Sequence, residues 1–241
     1  ESQSMTIEMI AVSKEGLRTM PTNYAATQTS ARGLATNKLI RNTYTLLSMT
    51  LLFSAAMAAV SVAVQAGPGV GLVCSLAALG LLWLVLPRTA NSAAGLGVVF
   101  LFTGLLGFGL GPTITYHLAM PGGTQVVMTA LGGTGVIFLG LSGYALTTRR
   151  DFSFMGGFLI VGLLVILGAA LLNIFLAIPA LSLALSAGII MLFSGFILYD
   201  TGRMVNGGET NYIMATVSLY ISILNIFTSL LHLLGAFGGD D

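Results

Sequence analysis

Three ionisable side chains lie inside apolar stretches of the sequence: Asp200, His117 and His232. Burying a charge in lipid costs about 2.5–3.5 kcal/mol or more, so such residues are candidates for function. Asp200 is followed one helical turn later by Arg203. This spacing is compatible with an interfacial ion pair or with a carboxylate that gates a path or senses protons. The two histidines lie near one end of their stretches, where a hydrogen-bonding role is commoner than a proton relay.

A stripe of polar side chains accompanies the last apolar stretch. Its members, Ser218, Ser222, Asn225 and Ser229, recur at the i, i+4, i+7, i+11 spacing of one helix face. Polar side chains that face lipid would lack hydrogen-bond partners, so we expect this stripe to face the centre of a bundle. There it either bonds to neighbouring helices or lines a wet path.

The sequence offers little support for a catalytic site or a cofactor site. The GxSG sequence around Ser142 resembles that of intramembrane serine proteases, with His232 as the potential base. At ~1.5 Å of rise per residue, the predicted helices place these two groups near opposite membrane faces, beyond hydrogen-bond reach. Cys74 is the single cysteine, and no Cys/His cluster, nucleotide-binding glycine loop or basic nucleic-acid face is present. We therefore expect no enzyme, metal site, cofactor or nucleic-acid partner.

The composition of the chain predicts the helices that position these residues. Of 241 residues, 56% are hydrophobic and 7% are charged, against about 25% charged residues in soluble domains. The apolar runs are continuous and of the length a helix needs to cross a bilayer. We predict an all-α, seven-helix transmembrane bundle spanning residues 44–66, 68–86, 93–119, 124–147, 153–173, 179–200 and 213–236. Its third helix is expected to be interrupted at Gly111-Pro112.

The nine Lys and Arg residues segregate to one side of such a bundle. Five lie in residues 1–43 and the other four fall in alternate loops, which predicts a cytoplasmic amino terminus. We expect a cytoplasmic tail over 1–43 with a helix beginning near Thr36, a transmembrane domain over 44–236 and a short outer tail over 237–241. Gly104, Gly107 and Gly111 share a face of the third helix, which favours close packing within the bundle over a dimer interface.

Several sequence segments resemble the transmembrane Bax-inhibitor-motif family, and within it the bacterial YccA branch. The most specific are 198–201 (LYDT), 207–212 (GGETNY), 215–220 (ATVSLY) and 225–227 (NIF). Others are 41–44 (RNTY), 89–91 (TAN), 102–104 (FTG), 111–112 (GP), 130–134 (ALGGT) and 146–149 (LTTR). The similarity covers about residues 38 to 236.

The resemblance implies a bacterial inner-membrane protein that binds and restrains FtsH, a membrane-anchored ATP-dependent protease that also associates with HflK and HflC. Contacts with such a partner are expected at Arg203, Glu209, Asn211 and Tyr212, and the cytoplasmic tail is the expected handle for the protease.

Other members of the family are pH-sensitive calcium leak channels, in which two aspartates share a proton. Asp200 matches the first aspartate, but the second position is Ser222, with Asn225 nearby as a further gating candidate. Only coupled carboxylates raise one another's pKa, and a Ca²⁺ site favours carboxylate ligands. The sequence therefore favours the protease modulator and keeps the channel as the alternative.

Overall fold

Seven helices carry the chain back and forth across the membrane. The computed structural model describes residues 2–238, with side chains over 33–238. The helices are α1 (Ser2–Ala63), α2 (Gly69–Thr89), α3 (Ala94–Leu118), α4 (Gly123–Thr148), α5 (Gly156–Leu176), α6 (Pro179–Asn206) and α7 (Tyr212–Phe237). Each is long and apolar enough to span a bilayer, with α1 counted from Gly33. No strand occurs in the described residues, so the predicted all-α seven-span fold is confirmed.

Two helices differ from the sequence prediction. α1 extends back to Ser2 instead of beginning near Thr36, because adding turns to an existing helix is easier than nucleating a new one. No break in the helix marks a boundary at residue 43. The predicted interruption of α3 is wrong as well, since that helix continues through Pro112. A backbone N–H or C=O group without a hydrogen-bond partner is costly in lipid. A transmembrane helix therefore continues through a proline instead of breaking at it.

The second helix contains a wide turn that the sequence analysis did not anticipate. A π-helical segment, Leu81–Val85, separates α-helical turns over Gly69–Gly80 and Leu86–Thr89. Pro87 lies two residues beyond the segment, and in a regular α-helix its ring would meet the carbonyl of Trp83 four residues earlier. The wide turn changes the hydrogen-bond register at this point while α2 stays helical across the membrane.

The last helix, α7, occupies the centre of the bundle. It packs against α6, α4, α1 and α3. Half of its most apolar stretch is buried, whereas only 6% of the corresponding stretch of α5 is. Tyr220 and Ile226 of α7 are fully buried in the main core. Within the polar stripe of α7, Ser222 and Ser229 are buried, whereas Ser218 and Asn225 are half-buried.

A glycine face brings α3 close to α1. Cβ atoms added at Gly104, Gly107 and Gly111 would collide with Phe53, Ser54 and Ser61 of α1 respectively. This is the close approach within one bundle that the glycine spacing favoured.

One end of the bundle carries all the described basic residues and is called here the basic face; the opposite end is the far face. By helix order the basic face holds Lys38, Arg41, Arg88, Arg149, Arg150 and Arg203. In its α4–α5 loop, the side chain and backbone of Ser153 hydrogen bond to Asp151 and hold the pKa of that carboxyl below its ordinary value. The polar residues described next lie just inside this face.

Candidate functional site

Asp200 lies near the basic end of α6 and is 9% exposed. Its Oδ2 accepts a hydrogen bond from the Ser218 hydroxyl of α7. The two helices are antiparallel and joined by the short loop over 207–211. Asp200 lies six residues before the end of α6, and Ser218 lies six residues after the start of α7. Equal distance from the loop places both side chains at the same depth, about 9 Å from the helix ends at 1.5 Å per residue.

The remaining members of the polar stripe bond within their own helix or make no described bond. Ser222 donates to the Ser218 carbonyl at 3.1 Å, and Asn225 donates to the Ile221 carbonyl at 2.8 Å. Ser229 is buried further towards the far face. Ser222 makes no hydrogen bond to Asp200 in the described structure. Ser218 is therefore the member of the stripe that joins α7 to the carboxylate.

Hydroxyl groups from α1, α6 and α7 complete this polar region. The Tyr44 hydroxyl lies 3.4 Å from Oγ1 of Thr201, the residue after Asp200. Thr216 donates to the carbonyl of Tyr212 at 2.7 Å and approaches that of Thr43 at 3.3 Å. The sequence analysis did not single out these hydroxyl residues. They could have been found from the sequence, because each lies at or near the basic end of a predicted span.

Arg203 pairs with Glu209 rather than with Asp200. Its Nη2 atom lies 3.7 Å from Glu209 Oε2 and donates to the Gly208 carbonyl at 2.8 Å. The guanidinium lies 5.6 Å from the centre of the Tyr199 ring. The ion pair between Asp200 and Arg203, one of the two alternatives for Asp200, is therefore absent from the described structure. Arg203 instead turns towards the loop.

The loop between α6 and α7 is a compact turn built by its own residues. Gly207 ends α6 in a left-handed conformation with φ of 77°, which glycine adopts without strain. The amides of Gly208 and Glu209 then bond to the Arg203 carbonyl at 2.8 and 3.2 Å. Glu209 Oε1 accepts hydrogen bonds from the amides of Thr210 and Asn211. Glu209 thus has an internal role alongside its expected contact with a partner.

Asn211 caps α7 and docks the loop onto its neighbour. Its Oδ1 accepts from the amides of Ile213 and Met214, which are free at the start of the helix. Its Nδ2 donates to the Ala90 carbonyl at 3.0 Å and to Asn91 Oδ1 at 2.8 Å, in the loop between α2 and α3. The next residue, Tyr212, is half-buried. One side chain therefore fixes two loops of the basic face.

The two histidines lie towards the far face and make hydrogen bonds there. His117 Nδ1 lies 2.8 Å from the Thr113 carbonyl, and its buried ring packs beside Gly235. His232 Nδ1 lies 2.9 Å from the Ser186 hydroxyl of α6. His232 therefore does not serve Ser142, which lies near the basic end of α4 and whose buried hydroxyl has no described partner. Among the described residues, no group of three or more His, Cys, Asp or Glu side chains could hold a metal ion.

Comparison with known proteins gives consistent matches. The sequence pattern of the Bax1-I family, described as "Inhibitor of apoptosis-promoting Bax1", matches residues 36–239. An "Uncharacterized membrane protein" of Vibrio cholerae is 50% identical over 218 residues, which is 90% of this chain and 98% of that protein. The "Modulator of FtsH protease YccA" of Escherichia coli K12 is 48% identical over 202 residues, 84% of this chain and 91% of that protein. An "Inner membrane protein YccA" of another Escherichia coli strain matches equally well.

Proposed function

The chain belongs to the Bax1-I family of membrane proteins, and from this premise we propose that it binds FtsH in the bacterial inner membrane and restrains proteolysis. The observation that carries the proposal is the 48% identity, over 84% of the chain, to a relative named as a modulator of this protease. The names of the relatives describe a modulator and not an enzyme.

The basic face is the proposed face of contact. The positive-inside tendency makes this face cytoplasmic, with the amino terminus inside and α7 ending at the periplasmic side. α1 continues from its membrane span at Gly33 back to Ser2, which at ~1.5 Å per residue gives it about 45 Å of further helix for a cytoplasmic partner to engage. Arg203, Glu209 and Tyr212 belong to the same face. HflK and HflC are further potential partners there, through their association with FtsH.

The test is the rate at which reconstituted FtsH degrades a membrane substrate, measured with and without this protein. We expect a slowing that depends on the amount of protein added. Removing residues 2–30 should weaken the effect and should slow degradation of the protein itself. Removing residues 239–241 from the opposite end provides the matched control and should change neither. An unchanged FtsH rate with the full chain would contradict the proposal.

A pH-sensitive calcium or proton leak is the second candidate, favoured by one observation: Asp200 is a buried carboxylate inside a membrane span. In proteoliposomes, a leak controlled by this group should change with pH, and Asp200→Asn should abolish the change. Ser222→Ala is the control, because Ser222 bonds to its own helix and not to Asp200. Flux equal to that of empty liposomes would remove this candidate.

A further inference from the structure

An apolar groove with a volume of about 650 Å³ lies between α1 and α4. No Cα atoms of α1 and α4 come within 8 Å of each other over the described residues. Helices in direct contact lie about 8–10 Å apart axis to axis, and their facing Cα atoms then come closer than this limit. α7 forms the floor of the groove and α3 one side of it. We call this cavity the α1–α4 groove.

Small side chains leave the space between the two walls unfilled. α1 presents Ala55, Ala58, Ala59 and Ala63 to the groove, and α4 presents Gly135. A Cβ added at Gly135 would meet no atom within 4 Å. The gap is therefore a consequence of sequence, because no side chain at these positions is long enough to bridge it.

The lining is apolar, and its polar members are already hydrogen bonded. The Ser54 and Tyr220 hydroxyls lie 2.6 Å apart, and Thr134 donates to the Ala130 carbonyl at 2.7 Å. Apolar cavities hold water poorly, since a water molecule needs two to four polar partners. The occupant that fits this lining is hydrocarbon.

The groove opens sideways onto the lipid-facing surface. Ala55, Ala59 and Leu131 line it and are exposed, and Leu131 retains 52% exposure. Leu52 and Leu139, neighbours on the outer surface, are about 70% exposed, at 73% and 69%. The groove is therefore continuous with the belt of side chains that the bilayer covers.

The length of the groove selects between two hydrocarbon occupants. Along α1 the lining runs from Leu51 to Ala63, a rise of ~18 Å. The Tyr44 and Phe138 rings, 6.0 Å apart, close it towards the basic face. One leaflet contributes about 15 Å to a hydrocarbon core of about 30 Å. A partner helix would need a groove across both leaflets, whereas an acyl chain needs only one.

We propose that the α1–α4 groove binds one acyl chain of a phospholipid from the leaflet on the far-face side. The chain inserts between the alanine face of α1 and Gly135 of α4, and its methyl end approaches Phe138. This site is independent of the proposed action on FtsH, because its lining excludes every residue of the basic-face loops.

The test measures tryptophan fluorescence in bilayers of phospholipid brominated on the acyl chain, since bromine quenches at short range. Trp83 is the single tryptophan and is 77% exposed, so it reports ordinary surface lipid. In a Trp83→Phe background, Phe227→Trp reports the groove floor. Phe193→Trp reports a position that is also buried but lies outside the groove. We expect strong quenching at position 227, approaching that of Trp83, and little at position 193.

Filling variants identify the groove as the path of access. Gly135→Leu and, separately, Ala59→Leu should abolish quenching at position 227. Gly140→Leu is the matched control on α4: its added Cβ also meets open space, and Gly140 does not line the groove. Equal quenching at positions 227 and 193, or quenching that both filling variants leave intact, would overturn the proposal.

Two further experiments distinguish a phospholipid acyl chain from other occupants of the groove. Brominated fatty acid at low mole fraction in unbrominated phospholipid should quench position 227 weakly; strong quenching by it alone would make a free fatty acid the occupant. Raising the protein-to-lipid ratio should leave quenching unchanged. Loss of quenching at high ratio would mean that a helix of a second copy fills the groove, which would also overturn the proposal.

Discussion

Replacing Asn211 by alanine should destabilise the whole bundle, because this side chain serves both α7 and a neighbouring loop. Loss of the helix cap costs about 1 kcal/mol. Each lost bond to Ala90 and Asn91 adds about 0.5–1.5 kcal/mol, towards the lower end here because Asn211 is half exposed. The sum is about 2 kcal/mol, which for a chain of this size corresponds to a fall in Tm of roughly 4–8 °C.

The lone cysteine provides the assay. Cys74 is buried in α2 and is the single thiol of the chain. A dye that becomes fluorescent on reacting with thiols will therefore label the protein only as it unfolds in detergent. The midpoint of labelling against temperature gives an apparent Tm for each variant.

Two variants define what Asn211 contributes. Asn211→Ser keeps a capping oxygen but cannot reach the α2–α3 loop, so it should lose about half of the effect. Thr210→Ala changes an exposed neighbour and should stay within about 0.5 kcal/mol of wild type. If Asn211→Ala unfolded with the wild-type midpoint yet lost its action on FtsH, the structural account would be refuted and Asn211 would be a partner contact.

Three other outcomes can be measured with the same thiol assay. Gly107→Ala should cost about 1–3 kcal/mol because its methyl group meets the Ser54 backbone, while Gly132→Ala, which meets no atom within 4 Å, should be neutral or stabilising. Tyr220→Phe should cost about 1–3 kcal/mol, because it leaves the buried Ser54 hydroxyl without this partner. The double variant Tyr220→Phe with Ser54→Ala should be destabilised by less than the sum of the two single substitutions. Ser142→Ala should be neutral or stabilising, since its buried hydroxyl has no described partner to lose.

The sequence was sufficient to predict the architecture, because the length and low polarity of each apolar run identify it as a membrane span. Seven apolar runs, the glycine face of α3 and the inward stripe of α7 each follow from one-dimensional patterns. Local backbone detail did not follow. The π-turn before Pro87 and the unbroken helix at Pro112 depend on how a helix in lipid shares its hydrogen bonds, and identical residue types gave opposite outcomes at the two sites.

For the candidate site, the sequence singled out several side chains but did not predict their hydrogen-bond partners. Arg203 stands one turn after Asp200, yet the turn begun at Gly207 brings Glu209 to it instead. Ser218 rather than Ser222 meets Asp200 because pairing across a helical hairpin depends on distance from the loop. Counting outward from the two ends of that loop would have found this pairing. The hydrogen bond of Asn211 to Ala90 links residues 121 apart and had no comparable signal.

The central position of α7 also has a consequence for biogenesis. Ribosomes release the chain from its amino end, so the helix that contacts α1, α3, α4 and α6 is the last of the seven to emerge. Until then, six inserted spans surround an unfilled centre, and the glycine-mediated pairing of α3 with α1 is among the contacts already available. Nascent chains stalled before residue 212 should therefore persist as loosely assembled spans, recognisable to quality control, and should become protease-resistant only after α7 is inserted.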